Sequence, residues 1–161
     1  MAKRILVADI GGTNTRVAMA HEAVVQTASI QRFRNADHPG IATVLRAYLA
    51  TQDTTPDAVC VCVAGPVRDG VGALTNLDWT MDGDLLRDAT GAPEAALLND
   101  LQAQGHAIDA LDPKSVAEVT TGIAAKPDAS QLVIGLGTGF NAAPIHITRH
   151  GRHVAPSECG H

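Results

Sequence analysis

The chain has 161 residues, of which 45% are hydrophobic and 18% are charged, and this composition predicts one large packed domain or one and a half small ones rather than a disordered segment. Its formal net charge of −5 argues against a nucleic-acid or membrane-surface partner, because both favour a basic face. No apolar stretch reaches the roughly 18 residues of a membrane span, and the N-terminus lacks a signal-peptide core. We therefore expect a cytoplasmic protein.

The first informative stretch is an apolar run that ends in a carboxylate and two glycines. Residues 5–8 predict a buried strand, Asp9 follows it, and Gly11-Gly12 lets the backbone turn tightly into a second strand over residues 16–20. Exposed backbone N–H groups beside the Thr13 hydroxyl suit phosphate oxygens. A carboxylate at a strand end suits a hydrated Mg²⁺, which makes Asp9 the candidate metal residue. A simple hairpin with Gly-Gly at its tip is the alternative.

The next elements predict a mixed α/β arrangement. In chain order they are a third strand centred on Val24-Val25, a polar loop over residues 31–39, an amphipathic helix over 40–51, a strand over 59–64 buried on both faces, and a helix over 81–90. Three strands, a helix and a further strand indicate an α/β fold with mixed pairing. Cys60 and Cys62 share one face of their strand, so they predict buried inert thiols rather than a disulfide or metal site.

Two polar residues follow a short buried strand in the middle of the chain. That strand is predicted over residues 95–98, Asn99 and Asp100 come next, and residues 101–110 predict a helix. The carboxyl ends of strands line the crevice where α/β folds place ligands. With a carbohydrate substrate, Asn99 would bind vicinal hydroxyls and Asp100 would accept the proton of an attacking hydroxyl. The alternative is that the pair simply caps the helix.

The last third of the chain repeats the pattern of its beginning, which is an apolar strand, a glycine turn that contains Thr, and a second strand. We place a domain boundary near residues 109–113, with a short strand over 116–120 beyond it. An apolar strand over residues 132–135 then enters a glycine turn that contains Gly137, Thr138 and Gly139, and a strand over 142–147 follows. Two such hairpins facing one another would clamp a polyphosphate. At the end, Glu158 and His161 either bind sugar hydroxyls or belong to a solvated tail.

Together these motifs resemble the bacterial glucokinase family, sugar kinases of the actin-like ATPase superfamily without the zinc motif of their relatives. The matching segments are Asp9-Ile10-Gly11-Gly12-Thr13-Asn14-x-Arg16, Ala64-Gly65-Pro66-Val67, Leu74-Thr75-Asn76-Leu77-x-Trp79, Leu97-Leu98-Asn99-Asp100-Leu101-x-Ala103, Gly135-x-Gly137-Thr138-Gly139 and Glu158-x-Gly160-His161. The resemblance implies an α/β fold of the actin-like, ribonuclease-H-like type, with a mixed sheet and flanking helices, that closes over glucose and ATP·Mg²⁺.

The resemblance also assigns roles to residues of this chain. It implies that Asn99, Asp100, Glu158 and His161 hold the sugar and that Asp100 is the general base. Phosphate binding falls to the second glycine turn, Gly137, Thr138 and Gly139, and to the first loop, which comprises Ala8, Asp9, Ile10, Gly11, Gly12 and Thr13.

The chain departs from the family pattern in three places. Asn141 stands where the family commonly has glycine, Cys159 replaces a frequent glycine, and the sequence stops at His161. We therefore expect an N-terminal half, with a small domain over residues 1–110 and an incomplete larger domain over 111–161. Alone it should not phosphorylate glucose, and a homodimer or a self-associating fragment is expected. A non-catalytic sugar- or phosphate-binding module and a kinase for another hexose are the alternatives.

Overall fold

The computed structural model describes residues 3–74, 76–136 and 140–156. The strands and α-helices are, in chain order, β1 (Arg4–Ile10), β2 (Asn14–His21), β3 (Val24–Val25), β4 (Gln31–Arg34), α1 (Ile41–Leu49), β5 (Ala58–Val63), β6 (Val67–Arg68), β7 (Val71–Ala73), β8 (Thr80–Asp82), α2 (Gly83–Thr90), β9 (Glu94–Asn99), α3 (Asp100–Ala107), β10 (Gln131–Leu136), β11 (Phe140–Thr148) and β12 (Gly151–Val154). No helix of these residues is long and apolar enough to cross a membrane.

The chain divides into two compact units, Met1–Asp100 and Leu101–His161. This division falls at the start of α3, whereas the predicted boundary near residues 109–113 lies beyond that helix. The assignment of domains to residues 1–110 and 111–161 stays a prediction.

A mixed sheet forms the centre of the first unit. Its strands are ordered β3-β2-β1-β5-β9, with β4 also paired to β2. The pair β1–β2 is antiparallel, whereas β1–β5 and β5–β9 are parallel. A second sheet of the same unit contains β6, β7 and β8, which are antiparallel. The predicted mixed α/β architecture is confirmed.

The core of this unit lies on one face of the mixed sheet. Leu6, Ala8 and Ile10 of β1 are buried there beside Val59, Val61 and Val63 of β5, and α1 and α2 cover them. Burial alternates along β5, so Cys60 and Cys62 on the opposite face are only half-buried. The prediction that β5 is buried on both faces is therefore wrong. Trp79 lies in this core, as its apolar ring predicts.

The polar segment predicted as a loop contains a strand instead. Residues 31–34 form β4, which pairs with β2 and places Phe33 opposite Thr15. Its half-buried residues alternate with exposed arginines, which is the two-residue period of a strand. A 3₁₀ turn, Asn35–Asp37, ends it. This two-residue period is hard to recognise in the sequence because three of the four residues of β4 are polar.

Two further elements differ from the predictions. Helix α2 begins at Gly83 rather than Met81, because the Asp82 carboxylate accepts a hydrogen bond from the Leu85 N–H at 2.8 Å and caps the helix. Residues 116–120 form no strand, and all five are exposed. With no strand partner, their β-branched residues do not produce the expected element.

The second unit contains an antiparallel sheet ordered β10-β11-β12 and most of α3. Leu101 on α3 packs with Ala143, Ile145 and Val154 in a small core. A Cβ at Gly105 would lie 2.8 Å from a methyl of Val154, so the helix approaches the sheet closely. The side chains of Leu132, Ile134 and Leu136 on β10 are exposed. Such apolar exposure favours self-association, which stays a prediction.

The packing of the first unit can be tested at the turn that follows β5. A Cβ at Gly65 would lie only 2.1 Å from the carbonyl oxygen of Ala73. We expect Gly65→Ala to lower the free energy of unfolding by about 1–3 kcal/mol, because backbone must move to admit the methyl group. Urea denaturation followed by circular dichroism measures the loss. Gly122→Ala is the control, since a Cβ there meets nothing within 4 Å; equal stability of the two variants would contradict the prediction.

Candidate functional site

The parallel strands β1, β5 and β9 end at one edge of the mixed sheet. Their register aligns Ile10 with Val63 and Val63 with Asn99. The glycine turn follows β1, Gly65 follows β5, and Asp100 follows β9. The carboxyl edge of this sheet thus brings together Asp9, Asn99 and Asp100, which the sequence analysis had placed at separate strand ends.

The glycine turn between β1 and β2 presents unused backbone donors. Gly12 and Thr13 are exposed, and within residues 3–74, 76–136 and 140–156 the N–H group of neither residue donates a hydrogen bond. The Gly11 N–H closes the turn by donating to the Asn14 oxygen at 3.0 Å. Neither glycine has a positive φ, so the turn does not depend on the left-handed conformation. Adjacent exposed donors of this kind suit the oxygens of a phosphate group.

Two asparagines from distant segments hold the carbonyl groups of this turn. Asn35 Nδ2 donates to the Gly11 oxygen at 2.8 Å, and the Asn35 backbone N–H donates to the Thr13 oxygen at 2.9 Å. Asn76 Nδ2 donates to the Gly12 oxygen at 2.6 Å. The sequence predicts a role for neither residue. Asn76 lies in one of the matching motifs, which was an available signal, whereas Asn35 lay in a segment interpreted as loop.

Asp9 is the carboxylate nearest the turn. Its side chain is 54% exposed, one oxygen lies 3.7 Å from Arg16 Nη1, and the other lies 3.7 Å from Cys62 Sγ. The described residues contain no group of three His, Cys, Asp or Glu side chains that could hold a metal ion. A single, half-exposed carboxylate fits Mg²⁺ that keeps most of its water ligands. Residues arranged in this way do not fit a fully protein-ligated metal.

The pKa of the Cys62 thiol is raised at this edge of the sheet. Burial raises its pKa to about 12, and the negative charges of Asp9 and Asp100 contribute to the rise. Burial alone raises the pKa of Cys60. Both cysteines are free, and both thiols are protonated at neutral pH, which agrees with the predicted inert thiols although their burial is partial.

Asn99 and Asp100 occupy the junction of β9 and α3. Asn99 is 3% exposed, and its Nδ2 donates to the Gly65 oxygen at 3.1 Å, which fixes the orientation of the carboxamide. Asp100 is the first residue of α3 and is half-buried. The Gly65 carbonyl therefore helps position Asn99, the first of the four predicted sugar-binding residues.

Several predicted site residues lie outside the described residues. These are Gly137, Thr138 and Gly139 of the second glycine turn and Glu158 and His161 near the end of the chain. Their assignments stay predictions.

Comparisons with known proteins point to one family. A family model described as Glucokinase matches residues 6–161. The chain is 34% identical to the glucokinase of Caulobacter vibrioides (strain NA1000 / CB15N) over 160 residues, which cover 97% of this chain and 48% of that protein. It is 32% identical to a glucokinase-like protein of Xylella fastidiosa (strain Temecula1) over 161 residues, covering 96% and 48%. The chain thus spans about half the length of the curated relatives it matches.

Solved structures give the same picture. A glucokinase from an Antarctic psychrotroph is similar with a TM-score of 0.86 and 34% identity, over 100% of this chain and 52% of that one. A glucokinase from Balamuthia mandrillaris, solved in complex with glucose, has a TM-score of 0.66 and 26% identity, over 99% and 49%. A ROK hexokinase from Thermus thermophilus, at 20% identity and a TM-score of 0.67, shares the fold.

The raised pKa of Cys62 predicts slow alkylation in the folded protein. A shift from 9.0 to about 12 reduces the thiolate fraction near pH 8, and the corresponding fall in reactivity is roughly a thousandfold. The rate should still increase from pH 9 to 11, where the thiolate fraction of an ordinary thiol levels off. Iodoacetamide labelling followed by peptide mass mapping measures this rate. Asp9→Asn should speed labelling, since it removes a negative charge, and labelling of native Cys62 as fast as in the unfolded chain would refute the prediction.

Proposed function

Because the chain belongs to the glucokinase family, we propose that the protein, at its full natural length, transfers the γ-phosphoryl group of ATP to the 6-hydroxyl of glucose. The observation that supports this most is the pair of unused N–H groups on Gly12 and Thr13, at the same sheet edge as Asn99 and Asp100. Phosphate-binding donors and a carboxylate that can accept a proton are the two requirements of a hydroxyl phosphorylation. The product, glucose 6-phosphate, would enter glycolysis in the cytoplasm.

The turn after β1 would bind phosphate oxygens through its backbone. The Gly12 and Thr13 N–H groups donate to no other part of the described chain, so binding phosphate costs no existing hydrogen bond. Arg16, whose side chain is 65% exposed, adds a positive charge beside the turn. Fixed donors that need no reorganisation stabilise the charge that develops on the transferring phosphoryl group. Gly137, Thr138 and Gly139 would hold the remaining phosphates.

Asp9 would hold the magnesium ion through water. A magnesium ion held there would supply positive charge that neutralises part of the negative charge of the phosphates. Arg16 Nη1 lies 3.7 Å from an oxygen of the same carboxylate, so a second charged group stands beside the proposed magnesium position.

Asp100 would act as the general base. In the proposed step the 6-hydroxyl proton passes to the Asp100 carboxylate while the hydroxyl oxygen forms a bond to the γ-phosphorus. The bond from that phosphorus to the bridging oxygen breaks, and ADP leaves with the electron pair. Asn99, oriented by its bond to Gly65, would hold sugar hydroxyls beside the base, and Glu158 and His161 would complete the contacts.

The role of Asp100 is tested by Asp100→Asn in the protein at its full natural length. We expect a fall in kcat of roughly 10²–10⁴ with little change in the Kd for glucose, since the amide cannot accept the proton. A coupled assay with glucose and ATP·Mg²⁺ measures turnover, and calorimetry measures glucose binding. Asp88→Asn is the control, because Asp88 is an exposed carboxylate on α2. A variant that keeps a tenth of wild-type kcat would rule out Asp100 as the base, and a wild type inactive on every hexose would refute the proposed function.

The phosphate-binding role of the turn is tested by Gly12→Val. Its Cβ would contact the Asn76 side chain at 3.5 Å, and the two further methyl groups would crowd the exposed N–H groups. We expect the Kd for ATP·Mg²⁺ to rise by about tenfold or more, which corresponds to one lost charge-assisted hydrogen bond. The Kd for glucose should change little. Gly122→Val, in open space, is the control, and equal losses for both ligands would indicate misfolding instead.

A further inference from the structure

We propose that Asn35 is a positioning residue that sets the direction of the phosphate-binding N–H groups in the turn after β1. The proposal rests on the proposed function, since it assigns the phosphate of the nucleotide to that turn. Asn35 itself would not touch the nucleotide. Its role is to hold the backbone that does.

The contacts of Asn35 join three residues of the turn and its exit. Its side chain is fully buried, with Nδ2 donating to the Gly11 oxygen at 2.8 Å and Oδ1 accepting from Thr15 Oγ1 at 2.8 Å. Its backbone N–H donates to the Thr13 oxygen at 2.9 Å. A buried carboxamide with both ends bonded has one orientation, so the Gly11 carbonyl is held in one direction as well.

The planar peptide converts this contact into an orientation of the ligand donors. In a trans peptide the carbonyl oxygen and the next N–H point in opposite directions. The described chain contains no cis peptide. The Gly11 oxygen faces Asn35, so the Gly12 N–H faces away from it. By the same geometry, the bond from Asn76 to the Gly12 oxygen turns the Thr13 N–H away from Asn76. The two asparagines thereby aim the two unused donors.

Asn35 is suited to this role by its place in the fold. It follows β4, whose pairing with β2 sets Arg34 opposite Asn14 and so brings residue 35 level with the turn. The Asn35 carbonyl accepts from the His38 N–H in the 3₁₀ turn, so its own backbone is also held. The turn precedes β2 and Asn35 follows β4, so the pairing of these two strands places Asn35 beside the turn. Because Gly11 and Gly12 offer no side chains for this purpose, the support must come from outside the turn.

The test compares two variants of Asn35 in the protein at its full natural length. Asn35→Ala removes both side-chain bonds, whereas Asn35→Asp keeps the size and the acceptor for Thr15 but removes the donor to Gly11. We expect both variants to raise the Kd for ATP·Mg²⁺ by roughly 10- to 100-fold, as expected when donors are misplaced by about an ångström. The Kd for glucose should change less than about twofold, because Asn99 and Asp100 are held by other contacts. Calorimetry measures both constants, so the readout does not depend on turnover.

Tyr48→Phe is the matched structural control. It removes a partly buried hydrogen bond, from the Tyr48 hydroxyl to the Ser29 oxygen at 3.0 Å, and this bond does not involve the turn. It should lower Tm while leaving the Kd for ATP·Mg²⁺ unchanged. If Asn35 has only a structural role, the Asn35 variants will lower Tm and spare nucleotide affinity, as the control does, and the proposal is then wrong.

The outcomes separate this proposal from the proposed function. A wild type that binds ATP·Mg²⁺ but phosphorylates no hexose refutes the kinase assignment, and the Asn35 variants still decide the role of Asn35. An active wild type whose Asn35→Ala variant keeps full nucleotide affinity refutes the role of Asn35 and leaves the kinase assignment intact. If a variant does not fold, Asn35→Ser, which is smaller and polar, replaces it in the same comparison.

Discussion

The parallel register of β1, β5 and β9 is the constraint on which the site depends. Hydrogen bonding along these strands aligns Ile10, Val63 and Asn99, so the segments that follow each strand begin at the same edge. A shift of one residue in either pairing would turn every side chain of the shifted strand to the opposite face. The buried valines of β5 prevent such a shift, since moving them would place the half-buried cysteines in the core under α1 and α2. The packing of the buried face of β5 therefore determines which residues lie side by side at the carboxyl ends of β1, β5 and β9.

Close backbone approach is the second feature that shapes this edge. Gly65 lies against the Ala73 carbonyl and accepts a hydrogen bond from Asn99 through its own carbonyl, so one glycine links the small sheet of β6, β7 and β8 to the end of β9. In the first turn, by contrast, glycine is not required for a positive φ. Its value there is the absence of a side chain beside two exposed N–H groups. The two positions use the missing Cβ for different purposes, one for packing and one for access.

The sequence predicted the elements whose patterns are local. The apolar run of β1, the helical spacing in α1 and the Asn99-Asp100 pair after β9 were all identified, because each signal lies within a few residues. β4 was missed since its residues are mostly polar and the stabilising partner, β2, is distant in sequence. Asn35 and Asn76 were missed as braces for the same reason, since their partners lie 24 and 64 residues away. Those contacts are properties of the folded chain, and no spacing rule reveals them.

Asn35 and Asn76 lie at different sequence distances from the turn that they contact, and this difference affects when the turn acquires both supporting hydrogen bonds during folding. Contacts that close long loops form late, because the chain loses more entropy in making them. The pairing of β2 with β1 and β4 is local and can supply Asn35 early, whereas Asn76 arrives only after β5 and the small sheet are in place. The turn therefore has both of its supporting contacts only when the small sheet has also formed, so affinity for phosphate reports on the formation of the whole first unit.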